Sequence, residues 1–221
     1  MQRQCQRAPI PRNLPERQLK IIMALQVDPE LLGGAERGSE QDRVVRDAPN
    51  GLFVDVGVWK GQSTIYVAET MRRAGRDGCV LAVDTFLGSA EHWTNDGGAF
   101  TRRHGRPDLY EAFLDNVFLA GVADLVVPMP QTSLTAAALL LGAGLQAGAV
   151  HIDAGHAFEE VVADDRAFWK LLAPGGFLVG DDYVDAWPGV VEGAHAFALE
   201  VGEDTCAMEL ALPKWVLRKR G

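Results

Sequence analysis

Val150-His151-Ile152-Asp153 and Phe177-Leu178-Val179-Gly180-Asp181-Asp182 are short apolar runs that each end in carboxylates. Runs of this length, apolar on both faces, read as buried parallel strands. Parallel strands of one sheet emerge along one edge, so Asp153, Asp181 and Asp182 are predicted to meet there. Crowded carboxylates repel unless they are protonated or bridged by a cation. An oxygen-only donor set of that charge suits a hard divalent ion such as Mg2+. Open α/β sheets bind their ligands at this edge.

Working outward, short apolar runs alternate with helix-like segments from Gly51 onward, the pattern of βαβ units. The predicted fold is α/β: a single-domain, Rossmann-like, doubly wound mixed sheet, mostly parallel with an antiparallel last strand. Its first strand is Leu52 to Val56, followed by the turn Gly57-Val58-Trp59-Lys60-Gly61 and a helix from Ser63 to Arg73, with Ser63 as its cap. The second strand is Cys79 to Asp84, and the third is Leu125 to Val127, ended by Pro128. A helix over Leu134 to Leu141 leads to the Val150 strand. The helix after Asp153 carries Phe158, Val161, Val162, Phe168, Trp169 and Leu172 at core spacing and stops at Pro174-Gly175-Gly176. A helix near Val190 to Val201 and strands at Cys206 to Leu212 and Trp215 to Leu217 complete the pattern. Residues 85–107 form a long polar insertion with His92, Trp93 and His104, a length that marks an active-site segment. The expected organisation is an N-terminal arm and helical cap over residues 1–50, then one domain over 51–221.

Composition narrows the partners. With 221 residues, 48% of them hydrophobic, the chain can bury one sizeable core but not two. The net charge of -9 argues against nucleic acid or an anionic membrane as partner. No apolar stretch is long enough to span a bilayer. Residues Met1 to Arg17 carry four arginines and one acid, without the apolar core or amphipathic pattern of a targeting segment. Cys5, Cys79 and Cys206 form no C-x-x-C pair and suit neither a disulfide framework nor a zinc site. A cytoplasmic location is the expectation.

A strand, a glycine turn and a helix make a nucleotide-binding opening. Asp84 closes the next strand and suits the hydroxyls of a ribose. The dinucleotide fingerprint needs a glycine where this turn has the bulky Trp59, which disfavours NAD and FAD. A G-x-x-x-G turn preceded by Asp55 suits a cofactor with no pyrophosphate and a zwitterionic amino-acid end, and S-adenosylmethionine fits.

Asp55-Val56-Gly57-Val58-Trp59-Lys60-Gly61-Gln62-Ser63, Val83-Asp84-Thr85-Phe86-Leu87-Gly88 and Pro128-Met129-Pro130-Gln131-Thr132-Ser133 resemble the motifs of class I S-adenosylmethionine-dependent methyltransferases. His151-Ile152-Asp153-Ala154-Gly155-His156-Ala157-Phe158-Glu159 and the run Leu172 to Tyr183 are similar to the macrocin-type sugar O-methyltransferases. The likeness covers about Gly51 to Val201. It departs at Asp55, where the family usually has glutamate, and in the insertion after Asp84. The resemblance implies a cofactor set of Asp55, Gly57, Gly61, Ser63, Asp84, Gln131, Ser133 and Asp153. Gln131 and Ser133 would lie near the adenine, and Gly57 and Gly61 near the methionine part.

Methyl transfer from a sulfonium needs an in-line nucleophile and depends on positioning and an activated hydroxyl. Coordination to a divalent ion lowers a hydroxyl's pKa. The resulting expectation is Mg2+ on Asp153, Asp181 and Asp182, with His156 or Asp153 as the base. His151 is read as structural. The acceptor is a small hydroxylated molecule, a sugar or glycosylated metabolite, whose pocket Tyr183 and Trp187 are candidates to line. Enzymes of this kind are often homo-oligomers. A catechol-type O-methyltransferase is the nearest alternative, but that branch commonly has lysine at the place of His156 and asparagine at that of Asp182. A non-catalytic cofactor-binding scaffold is the alternative from another class.

Overall fold

The computed structural model describes residues 38–94, 100–202, 205 and 208–221. Most of the expected N-terminal arm, and Cys206, lie outside the described residues. Seven strands form one sheet: β1 (Leu52–Val56), β2 (Cys79–Asp84), β5 (Val126–Pro130), β6 (Ala147–Ile152), β7 (Leu172–Gly180), β8 (Glu209–Ala211) and β9 (Lys214–Arg218). Their order is β5-β2-β1-β6-β7-β9-β8. The first five of these pair in parallel, and β9 runs antiparallel to both neighbours. This is the predicted mixed sheet with an antiparallel last strand. A separate small hairpin, β3 (Arg102–Arg103) and β4 (Arg106–Pro107), lies in the insertion.

The described helices are α1 (Gly38–Asp47), α2 (Gln62–Arg73), α3 (Ala90–Thr94), α4 (Leu109–Leu119), α5 (Ser133–Gly142), α6 (Phe158–Leu171) and α7 (Pro188–Val201). Strand alternation sends Phe53, Ala149, Phe177, Val179 and Val216 to one face, against α1, α2 and α4. Val54, Val56, Val150, Ile152, Leu178, Trp215 and Leu217 pack on the other, against α5, α6 and α7. Both faces are therefore covered, which is why the strands read as continuous apolar runs. Val44, Val45 and Ala48 of α1 belong to the first of these cores.

Three local readings change. β5 runs through Pro128 rather than stopping there, in register with Ala82. It is the sheet's edge strand, where a missing N–H breaks no ladder. β7 begins at Leu172, before the glycine pair, with its register to β6 shifting between Ala147 and Ala149. The helix after the first strand is capped by Gly61 in a left-handed conformation (φ 95), not by Ser63.

Candidate active site

Strand order reverses between β1 and β6, since the chain leaves β1 toward β2 and leaves β6 toward β7. The crevice at such a switch point is where ligands of open sheets bind. Gly57 closes β1 there with φ +81, and a Cβ on it would overlap the carbonyl oxygen of Asp153. Only glycine lets the two strand ends approach so closely. Asp84 Oδ2 accepts from the Trp59 N–H at 2.9 Å and Oδ1 accepts from the Phe86 N–H at 2.7 Å. The acid closing β2 is thus tied to the glycine turn, and burial pushes its pKa up. The insertion folds onto the same turn: the Trp59 and His92 rings stack with centroids 4.0 Å apart, and Phe100 meets Trp59 edge-on. Gln131 is exposed beyond β5, and Ser133 Oγ donates to Asp164 Oδ1 at 2.6 Å.

At the neighbouring edge, Asp153, His156 and Asp182 each place one potential ligand atom within 4.8 Å of the others. Backbone bonds align this edge, with Asp153 N–H donating to the Val56 carbonyl and Asp181 N–H to that of Ile152. His156 Nε2 lies 3.1 Å from Asp182 Oδ2, and the Trp187 ring packs against the imidazole at 4.2 Å between centroids. Asp182 has a left-handed backbone (φ 56), a conformation that aspartate tolerates better than most residues and that concentrates at functional sites. Burial, followed by repulsion from Asp181, pushes the Asp153 carboxyl up to about 6.

Asp181, expected as a third ligand beside these, is committed elsewhere. Its Oδ1 accepts from the Asp182 N–H at 3.0 Å, and its Oδ2 pairs with Lys214 Nζ. Asp55, expected to touch the cofactor, is buried at 2% exposure. Its Oδ2 accepts from Ser63 and Thr64, and its Oδ1 faces His151 Nδ1 at 2.8 Å. Ser63, also placed in the cofactor set, spends its hydroxyl on that bond. His151 Nε2 in turn lies 2.9 Å from Lys214 Nζ and 3.5 Å from Asp181 Oδ2. The result is a buried row, Asp55, His151, Lys214, Asp181, running across the sheet beneath the carboxylate edge. His151 is structural, as its place in a buried strand suggests, and Lys214 is a member of the site that the sequence pattern does not single out. The available signal was polar residues interrupting apolar strands, Asp55 in Leu52–Val56 and Lys214 before Trp215.

This row has a pH signature. Burial and Lys214 oppose a charge on His151, but Asp181 and Asp55 outweigh them and push its pKa up to about 9. A folded value above the ordinary ~6.5 means that the imidazolium stabilises fully below about pH 6.5 and that this share is lost as pH rises through 9. The melting temperature is expected to fall by a few degrees between pH 7 and 9.5, and less so in His151→Gln. Calorimetric melts across that range check this.

A methyltransferase-domain family profile matches residues 54–183, from β1 to just beyond Asp182. The chain belongs to that family. This methyltransferase also resembles solved structures. The O-methyltransferase NovP superimposes with a TM-score of 0.64 at 18% identity, over 85% of this chain and 81% of that one. TomG from Streptomyces achromogenes, an O-methyltransferase involved in tomaymycin synthesis and solved with S-adenosylmethionine, gives 0.62 at 18% identity, over 87% and 83%. An O-methyltransferase from Bacillus cereus, solved with S-adenosylhomocysteine, gives 0.61 at 16% identity, over 93% and 90%. At such identities the likeness speaks for the fold. No curated protein matches the chain significantly.

Proposed function

We propose that this methyltransferase uses S-adenosylmethionine to methylate a hydroxyl of a small acceptor, a sugar or glycosylated metabolite of the macrocin type, with a divalent cation such as Mg2+ at its carboxylate edge. The observation that carries the reading is the convergence of Asp153, His156 and Asp182 beside the glycine turn. The donor set fits a hard cation: the carboxylates of Asp153 and Asp182 converge beside His156, and the Asp153 carboxyl is raised by burial and then by a repulsion that a cation would relieve. NovP, TomG and the Bacillus cereus enzyme, all O-methyltransferases on this fold, support the choice of oxygen as the acceptor atom. The net charge of -9 favours a small molecule over nucleic acid or membrane.

Each side chain then has a task. Asp153 and Asp182 hold the cation, and Asp181 is fixed alongside by Lys214. A bound divalent ion supplies Lewis acidity that lowers the pKa of an acceptor hydroxyl. His156 takes the hydroxyl proton, and the imidazolium so formed faces Asp182 Oδ2. Asp84 grips the ribose from the end of β2, and the Gly57–Gly61 turn leaves backbone open to the amino-acid end of the cofactor. Trp187 and Tyr183 border the acceptor side. Tyr183 is held by its hydroxyl, 2.6 Å from His195 Nε2.

An acceptor screen over sugars, glycosylated metabolites and catechols, run with Mg2+ and with EDTA, tests the whole scheme. Turnover is expected to vanish with EDTA, and equal rates in both would remove the cation from the reaction. Because a ligand carboxylate must be ionised to bind metal, Mn2+ affinity should weaken as pH falls through about 6, the value set for Asp153. Calorimetric titrations between pH 5 and 8 would show it. Asp84→Ala should weaken S-adenosylhomocysteine binding by about tenfold or more, as the loss of a charge-assisted bond predicts. Unaltered affinity would dismiss the ribose assignment.

A further inference from the structure

The carboxylate edge is supported from both sides of the sheet. On one side lies the row of buried charges through His151. On the other, between the sheet and helices α6 and α7, lies a cavity of about 20 Å³, room for one water molecule. Its lining includes Asp153, His156, Asp181, Asp165 and Trp215. Asp165 projects from α6 and is 0% exposed, and Trp215 from β9 is 1% exposed. Neither carboxyl oxygen of Asp165 has a hydrogen-bond partner among the described residues, and neither has the indole N–H of Trp215. Gly180 helps to set this geometry: a Cβ there would overlap the Trp215 indole, so glycine in β7 admits the ring.

An unpaired buried carboxyl and an unpaired indole N–H each leave a desolvation cost uncompensated. Native interiors resolve such pairs by an ordered water with two to four polar partners. This cavity is polar, large enough, and bordered by a further acceptor in Asp153. We propose that it binds one ordered water molecule between the Asp165 carboxyl and Trp215 Nε1, and that through this water Asp165 positions Asp153 at the floor of the site. Burial, then the neighbouring Asp164, push the Asp165 carboxyl well above the usual range, which favours its O–H form as a donor to the water. Two donors, Asp165 and Trp215, then point the water's own hydrogens onward, and Asp153 receives one. Asp165 is a positioning residue in this scheme. The positioning role rests on the metal reading above, whereas the water site stands on the cavity alone.

The test combines a crystal structure of the wild-type chain, at a resolution that shows waters, with Mn2+ and S-adenosylhomocysteine titrations of variants. Density is expected for one water bonded to Asp165, Trp215 Nε1 and Asp153. Asp165→Leu, which fills the cavity, should weaken Mn2+ binding by about tenfold, in the range typical of lost support behind a metal ligand, while leaving S-adenosylhomocysteine affinity within twofold. Asp165→Asn, which can hold the same water, should keep Mn2+ affinity within twofold of wild type. A dry cavity in the wild type, wild-type Mn2+ affinity in Asp165→Leu, or equal losses in the Asn and Leu variants would each overturn the proposal. If Asp165→Leu does not fold, Trp215→Phe removes the opposing donor and should weaken Mn2+ binding in the same direction. Wild-type protein that binds no Mn2+ would refute the metal reading and the positioning role with it, and the density would still decide the water site.

Discussion

Asparagine in place of Asp153 is expected to reduce methyl transfer by about 10^3-fold, within the range for loss of a group acting directly at the reacting atoms. The substitution keeps the side chain's size and leaves the backbone bond to Val56 intact. It removes the negative charge that a cation needs and abolishes measurable Mn2+ binding. Stability should move the other way. The Asp153 carboxyl is pushed up to about 6 by burial and by Asp181 and Asp182, so its ionised form is strained at neutral pH. A neutral isostere relieves that repulsion, and the melting temperature at pH 7.5 should stay the same or rise. Loss of activity with unchanged or higher stability marks a residue kept for chemistry. Retained turnover would remove Asp153 from the mechanism, and a large drop in melting temperature would make it a structural residue.

Lys214→Met should be the most damaging change outside the reacting residues. Lys214 is 4% exposed and stands between Asp181 and His151, with Asp55 beyond. Removing one partner of a buried ion pair leaves a buried charge uncompensated, at about 3–5 kcal/mol. For a chain of this size that is a fall of about 10 °C or more in melting temperature. Asp181→Asn in the same chain should restore a good part of it, because the carboxylate that Lys214 neutralised is then gone. Scanning calorimetry of the single and double variants decides the matter. An unchanged melting temperature in Lys214→Met would show that the row contributes nothing to stability.

The fold was legible because its determinants are local and repetitive. Apolar runs of strand length alternating with helical periodicity specify a parallel sheet covered on both faces, and Gly57 to Gly61 and Asp84 mark the ligand end of its first two strands. The errors at element ends have local causes too. Pro128 reads as a stop until β5 is known to be an edge strand, and Ser63 reads as a cap until Asp55 is seen to take its hydroxyl.

The sequence by itself determined that Asp153, Asp181 and Asp182 close strands of one sheet, because strand ends follow from the hydrophobic pattern. Only the tertiary structure decided which of them share a point. The register that sets His151 opposite Asp55, and the antiparallel return of β9 that brings Lys214 to Asp181, join residues from distant parts of the chain. Aspartates adjacent in sequence thereby part: Asp181 turns to the buried lysine, while the left-handed backbone of Asp182 accompanies its place beside Asp153 and His156. Partner choice among buried charges depends on distances across strands, and no spacing along the chain encodes those.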